Sequence, residues 1–144
     1  MELTFKEEEE DRLRDEFDEI DPTLRCAILF LKGALEYLSG DLFNSGYDIE
    51  FCITTLLRTQ EEQDEAYKGS LEYQEKPWTS FHQSGLAVDI RYAPFTFDMW
   101  ADALVYAERV FKHFGFNPVL HTPDDTRRAP HCHIEIQRPF KGVF

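Results

Sequence analysis

The most regular apolar pattern in the chain lies between Pro22 and Gly40. Asp21 precedes a proline at the first helical position, which is the usual order of residues at a helix start. Apolar residues then recur every three or four positions, as they do along one face of a helix: Leu24, Ala27, Ile28, Leu31, Leu35 and Leu38. This pattern predicts a helix that begins at Pro22 and ends at Gly40.

Residues 1–20 combine a thin apolar stripe with a strongly acidic background. The stripe consists of Leu13, Phe17 and Ile20, and this pattern is typical of either a surface helix or a frayed arm. A chain of 144 residues is long enough for one hydrophobic core and too short for two. We therefore divide the chain into an acidic N-terminal arm or helix, residues 1–20, and a single domain, residues 21–144.

Three segments alternate apolar and polar residues with the period of two that marks a β-strand. They are Ile49–Leu57, Leu86–Arg91 and Cys132–Gln137. Between them, a capping-box pattern at Thr59-Gln60-Glu61-Glu62 predicts a short helix through Tyr67, and residues 97–114 predict a longer helix that stops at Gly115. Residues 69–79 are expected to form a loop. The elements together predict an α+β fold.

The balance of charge excludes some classes of partner. Fifteen basic residues against 28 acidic ones give a net charge of −13, which repels nucleic acid and anionic membranes. No apolar run is long enough for a membrane span, and the first residues lack the basic and then apolar order of a secretory signal. We expect a protein that is cytoplasmic as synthesised, with no nucleic acid partner and no membrane insertion.

The three cysteines, Cys26, Cys52 and Cys132, show neither an even count nor CxxC spacing. These features indicate neither a disulfide framework nor a zinc knuckle. We expect all three thiols to be reduced residues of the core.

The predicted strands place several metal-binding side chain types on polar faces. His131, His133 and Glu135 share one face of the last strand, opposite its apolar residues. Asp89 likewise lies opposite the apolar face of its strand, and His82 stands just upstream. A single histidine usually has no ligand role, but nitrogen and oxygen donors of this kind suit zinc when they converge. Three such ligands leave a fourth position for water, as in catalytic sites.

The segment from Ser80 to Asp89 satisfies every fixed position of the motif S-x-H-x-x-G-x-A-x-D. This motif resembles that of the D-Ala-D-Ala carboxypeptidases and L-alanyl-D-glutamate endopeptidases, zinc peptidases that share a fold with the hedgehog signalling domain. The resemblance implies a small antiparallel sheet that carries the zinc site and packs with helices. It also implies that His82 and Asp89 bind Zn²⁺, that His133 is the third ligand, and that His131 lies beside the reacting centre.

A second segment resembles the substrate-binding part of the same family. There an arginine faces the substrate and a glutamine follows five residues later, which matches Arg58 and Gln63. The resemblance implies that Arg58, Gln63 and Ser80 bind substrate, and that Arg58 also stabilises developing negative charge. A surface salt bridge is an equally simple interpretation of Arg58, because the chain is rich in acids. The resemblance extends over residues 49–137.

The chain departs from the family at the general base. Family members usually place a carboxylate three residues before the last zinc histidine, where this chain has Pro130, and the hedgehog-like relatives place it six before, where this chain has Arg127. The nearest acids are Asp124 and Asp125, in a segment whose composition is also typical of an ordinary turn. We expect Asp125 to be the base, with Asp124 as the alternative and Glu135, on the metal-facing side of the last strand, next in line.

These residues favour a zinc-dependent peptidase that cleaves peptidoglycan stem peptides, of the D-Ala-D-Ala carboxypeptidase or L-Ala-D-Glu endopeptidase type. Release to the cell wall by a phage-type lysis route is compatible with the missing signal, and so is a cytoplasmic enzyme for small muropeptides. The alternative is a catalytically impaired zinc-binding domain that acts as a binding module, because the usual base positions hold no carboxylate. A metal-free structural module would require the whole motif to be coincidental.

Overall fold

A computed structural model describes residues 1–40, 49–77, 86–113, 116–120 and 131–136. In these parts of the chain the strands are β1 (Glu2–Phe5), β2 (Glu50–Thr55), β3 (Ala87–Arg91), β4 (Phe116–Leu120) and β5 (His131–Ile136). The helices are α1 (Glu10–Glu19), α2 (Pro22–Leu38), α3 (Gln60–Ala66), α4 (Leu71–Glu75) and α5 (Phe97–His113), with a 3₁₀ turn at Glu7–Glu9. The predicted α+β class is confirmed.

The strands form a sheet with the order β1-β2-β3-β5-β4. β1 pairs parallel to β2, and the other neighbouring pairs are antiparallel. The prediction of an antiparallel sheet is therefore wrong for the first pair, because it did not include β1. A four-residue strand gives too short a period to recognise, and β4 escaped prediction because Pro118 interrupts it. Proline is compatible with β4 because this strand lies at an edge of the sheet.

Local capping signals account for two of the predicted helices. The Asp21 carboxylate accepts a hydrogen bond of 2.8 Å from the Thr23 backbone amide at the start of α2. At α3, Thr59 and Glu62 form the predicted capping box, with each side chain accepting from the backbone of the other residue. The loop predicted for residues 69–79 is wrong in part, because Ser70 caps the short helix α4.

The hydrophobic core lies between one face of the sheet and the helices. Trp100 of α5 is fully buried at its centre, with its ring 6.4 Å from that of Phe51 in β2. The core also includes Leu13 and Ile20, so residues 1–20 contribute a strand, a turn and a packed helix. The inward-facing residues of the three central strands are Phe51, Ile53, Val88, Ile90, Cys132 and Ile134.

The cysteines divide between core and surface. Cys52 and Cys132 are buried, whereas Cys26 is exposed on α2. The expectation that all three belong to the core is therefore wrong for Cys26, whose position on the helix falls outside the apolar stripe. All three thiols are free. None of the helices in the described part of the chain is long and apolar enough to cross a membrane.

Candidate metal centre

The polar face of the sheet gathers four side chains with metal-binding or proton-transfer chemistry. In the antiparallel pair β3–β5, Asp89 lies opposite His133, Arg91 opposite His131 and Ala87 opposite Glu135. Residues that lie opposite each other across an antiparallel pair project to the same side of the sheet. Asp89, His131, His133 and Glu135 therefore share the face that points away from the core.

The closest contacts on this face centre on His133. Its Nδ1 atom lies 2.7 Å from Asp89 Oδ1, and its Nε2 atom lies 2.8 Å from Glu135 Oε1. His131 Nε2 is farther away, at 3.7 Å from Asp89 Oδ1. Two of the three zinc ligands expected from the sequence, Asp89 and His133, are thus in direct contact, with His131 beside them.

Burial makes these contacts energetically necessary. Asp89 is only 4% exposed although it carries a carboxylate. A buried charge is costly unless it is paired or bound to a metal, so His133 opposite Asp89 and His131 beside it compensate for its burial. Its carboxylate and the imidazole of His133 are an oxygen and a nitrogen donor of the kind that zinc prefers, and this donor set fits the expected metal.

The protonation of His133 depends on its two carboxylate partners. Burial disfavours the charged imidazolium, but the hydrogen bonds and negative charges of Asp89 and Glu135 outweigh burial. The pKa of His133 is therefore raised above its ordinary value. Protonation of His133 would therefore compete with zinc binding, because a histidine ligand must present a free lone pair.

An irregularity in strand pairing lies next to Asp89. Between Ile53 and Thr55 the register of β2 against β3 shifts by an extra residue, and Thr55 is the partner of Asp89. Thr54 Oγ1 donates a hydrogen bond of 3.3 Å to the Asp89 backbone carbonyl. Bulges of this kind re-aim side chains and are common beside active sites.

Arg58 and Gln63 are in direct contact. Arg58 Nη1 donates a hydrogen bond of 2.9 Å to Gln63 Oε1, and Gln63 is 0% exposed. Arg58 follows the end of β2, three residues after Thr55, the strand partner of Asp89. The hydrogen bond places the Gln63 side chain where it can hold the guanidinium of Arg58 in position. Substrate binding by the pair stays a prediction.

Several predicted site residues lie outside the described part of the chain. They are the ligand His82, the substrate-binding Ser80 and the candidate bases Asp124 and Asp125. Within residues 1–40, 49–77, 86–113, 116–120 and 131–136, no group of three or more His, Cys, Asp or Glu residues is placed to hold a metal ion. The three-ligand set expected from the sequence includes His82, so it stays a prediction.

Sequence reasoning placed Glu135 on the polar face but did not find its contact with His133. The signal was available, because residues two apart in a strand point to the same side. Glu135 and His133 meet this condition in β5.

Comparisons with known proteins give no further assignment. The chain matches no family profile, and neither characterised proteins nor solved structures include a significant match. The resemblance to zinc peptidases therefore rests on the sequence motifs alone.

Proposed function

We propose that the protein is a zinc-dependent peptidase that cleaves peptidoglycan stem peptides, of the D-Ala-D-Ala carboxypeptidase or L-Ala-D-Glu endopeptidase type. The observation that supports this proposal most strongly is the direct contact between Asp89 and His133 across β3 and β5. Their contact agrees with the ligand roles that the motif implies. Zinc would be held by His82, Asp89 and His133.

In the proposed chemistry the metal and the side chains have separate roles. When bound, zinc would polarise the substrate carbonyl and lower the pKa of water to about 7. Asp125 would accept the proton of the attacking water. His131 and Arg58 would stabilise the negative charge that develops on the carbonyl oxygen, and the hydrogen bond that Arg58 donates to Gln63 would hold the guanidinium in place.

The net charge of −13 narrows the substrate class. Intact cell wall carries anionic polymers, and like charges lower the rate of encounter. A small soluble muropeptide does not present that extended field. We therefore expect faster cleavage of muropeptides than of intact peptidoglycan at low ionic strength.

The alternative function is a zinc-binding module without turnover. Pro130 and Arg127 occupy the two positions at which the resembling families place a carboxylate, and this observation favours the alternative. The two functions share the metal site and differ in the base. Activity and zinc content must therefore be measured separately.

Zinc content tests the metal site. The purified protein is expected to contain about one zinc per chain, as three converging ligands would require. His133→Ala and His82→Ala should each lose the metal, and the zinc-dependent stability should fall with it. Elemental analysis and thermal unfolding with and without chelator measure both effects. Full zinc in both variants would show that the ligand assignment is wrong.

Turnover of a muropeptide tests the base. Asp125→Asn should retain zinc, while kcat falls by about 10²- to 10⁴-fold, the usual effect of removing a general base. Asp124→Asn is the matched control and should retain the wild-type rate. If wild-type protein binds zinc but cleaves no bond next to a D-amino acid, the binding-module function replaces the peptidase.

A further inference from the structure

His133 is held from both ring nitrogens by carboxylates on the same face of the sheet. Asp89 lies 2.7 Å from Nδ1 and Glu135 lies 2.8 Å from Nε2. The side chains of His133, Glu135 and Asp89 are 13%, 22% and 6% exposed, respectively. Such extensive burial protects these contacts from competing water, so they are not ordinary surface ion pairs.

The two contacts differ in what they imply for a metal. Asp89 belongs to another strand and to the motif whose aspartate is an expected ligand, whereas Glu135 belongs to the same strand as His133. A histidine ligand must present one nitrogen without a proton, and the other nitrogen then carries it. An ionised carboxylate only accepts hydrogen bonds, so Glu135 favours the tautomer with the proton on Nε2.

The surroundings of Glu135 fix this contact. β5 lies between β3 and β4 in the sheet, so its backbone is paired on both sides. On β3, the residue opposite Glu135 is Ala87, which has no polar atom in its side chain, and on β4 it is Asn117. The β3 partner therefore offers no polar group that competes with His133 for the carboxylate. His133 and Glu135 lie two positions apart on a strand whose backbone is paired on both sides.

We propose that Glu135 is the positioning residue of the metal site: it orients the His133 ring and makes Nδ1 the metal-binding atom. This inference rests on the zinc site of the proposed function. Carboxylates that accept the second N–H of a metal-bound histidine fix the tautomer and raise the basicity of the ligand. The role is distinct from that of a general base, because the carboxylate acts on the ligand and not on the attacking water.

Zinc affinity, measured by competition with a chromophoric chelator, tests the inference without reference to turnover. Loss of such an acceptor typically weakens metal binding by about 10- to 100-fold, and this loss is expected for Glu135→Ala. Glu135→Gln keeps an oxygen that can accept from Nε2, so its loss should be smaller. Glu50→Gln is the matched control. Glu50 lies on β2 and contacts Thr4 at 3.5 Å, so the zinc affinity of this variant should equal that of the wild type.

The nitrogen that binds the metal is a second readout. In the zinc-loaded protein labelled with ¹⁵N-histidine, His133 should show a proton on Nε2 and the metal on Nδ1. Glu135→Ala should shift the Nε2 resonance, and Glu50→Gln should leave it unchanged. Metal on Nε2 in the wild type would overturn the inference. Unchanged zinc affinity in folded Glu135→Ala and Glu135→Gln would also overturn it.

The outcomes separate this inference from the proposed function. Weakened zinc binding in Glu135→Ala supports the positioning role even if the wild type cleaves no muropeptide, in which case only the peptidase proposal fails. Conversely, a variant that keeps wild-type zinc affinity but loses turnover would make Glu135 a participant in the reaction. That result would overturn the positioning role and leave the peptidase proposal intact. A wild type without zinc affinity would overturn both.

Discussion

The same strands carry apolar residues on one face of the sheet and polar residues of metal-binding types on the other. On the core face, Val88, Ile90 and Ile134 are fully buried beneath the helices. On the opposite face, neighbouring positions of the same strands carry Asp89 and His133, which are also largely buried but are held by hydrogen bonds and charge. Alternation along a strand is what places the two sets one residue apart.

This difference shows how stability and chemistry can be separated within one backbone. The core face stabilises the fold by burial of apolar surface, which is nondirectional and proportional to area. The polar face depends on partner geometry, because a buried carboxylate without a partner would be destabilising. We therefore expect substitutions on the two faces of one strand to differ in what they change: loss of a core side chain lowers stability, and loss of a polar-face side chain lowers activity.

The largest effect on stability is expected for Ile134→Ala on the core face of β5. Ile134 is 0% exposed, and an isoleucine-to-alanine change at a buried site costs about 2–5 kcal/mol because it removes buried surface and leaves a cavity. Urea denaturation measures the loss in the free energy of unfolding. Zinc stoichiometry should be retained under conditions in which the variant is folded, because the polar face is unaltered.

His131→Ala is the matched control for Ile134→Ala. The two residues belong to β5, but the His131 side chain is 17% exposed on the polar face. Its removal should cost much less unfolding free energy than the loss of Ile134, and it should lower muropeptide turnover under the proposed mechanism. Equal losses of unfolding free energy in the two variants would contradict the claim that the core face contributes more to stability than the polar face.

A smaller effect on stability is expected for Gln63→Leu, which removes the acceptor of Arg58. The Arg58 guanidinium that loses its acceptor is only partly buried and can be solvated in part, so the cost should lie in the lower half of the range of about 1–3 kcal/mol expected for a missing hydrogen-bond partner. If Arg58 acts on the reaction, kcat should fall as well. Gln63→Glu retains an oxygen acceptor, so turnover should recover in part.

Arg58→Lys serves as the companion measurement. Lysine retains the charge but cannot reproduce the planar guanidinium. The loss of kcat in the double variant should then be smaller than the sum of the losses in Gln63→Leu and Arg58→Lys, because both changes disturb one contact. Additive losses would indicate that Gln63 does not act through Arg58.

The smallest effect is expected at the capping box of α3. Thr59→Ala removes the cap of the Glu62 backbone amide and should cost about 1 kcal/mol of unfolding free energy. Burial raises the pKa of Glu62, but hydrogen bonds from the Thr59 backbone and side chain and the charge of Arg12 outweigh burial, so the pKa is lowered. The ionised Glu62 therefore adds stability that is lost as the pH falls below about 4.5.

The variant Glu62→Gln checks the sign of that pH dependence. It retains a side-chain oxygen at the same position but removes the charge. Denaturation at a series of pH values should show a difference from the wild type at neutral pH that shrinks as the solution is acidified. A difference that grows on acidification would contradict the lowered pKa.

Much of the fold was predictable because its signals are local. Asp21, Pro22 and the apolar stripe predict helix α2, and the capping box predicts α3. The edge strands β1 and β4 and the short helix α4 were missed, because each contains only four or five residues and depends on its neighbours for stability. Pairing between strands distant in sequence leaves no such local signal.

Less of the candidate site than of the fold was predictable: the residues on its face could be predicted, but not the contacts between them. Strand alternation alone put His131, His133 and Glu135 on one face, and the motif linked Asp89 to them. The order of the strands, which sets Asp89 directly opposite His133, could not be read from periodicity. The hydrogen bond between Arg58 and Gln63 was not predicted either, because the resemblance assigned both side chains to a substrate.

The strand order has a consequence for biosynthesis. β5 lies between β3 and β4, so β4 is held to the sheet by a strand that follows it in the chain. Asp89 and His133 are separated by 44 positions, and their contact cannot form until β5 has been synthesised. A nascent chain that still has β5 inside the ribosome therefore lacks the paired donors. A metal held by these two residues would be acquired only after almost the whole sheet has left the exit tunnel.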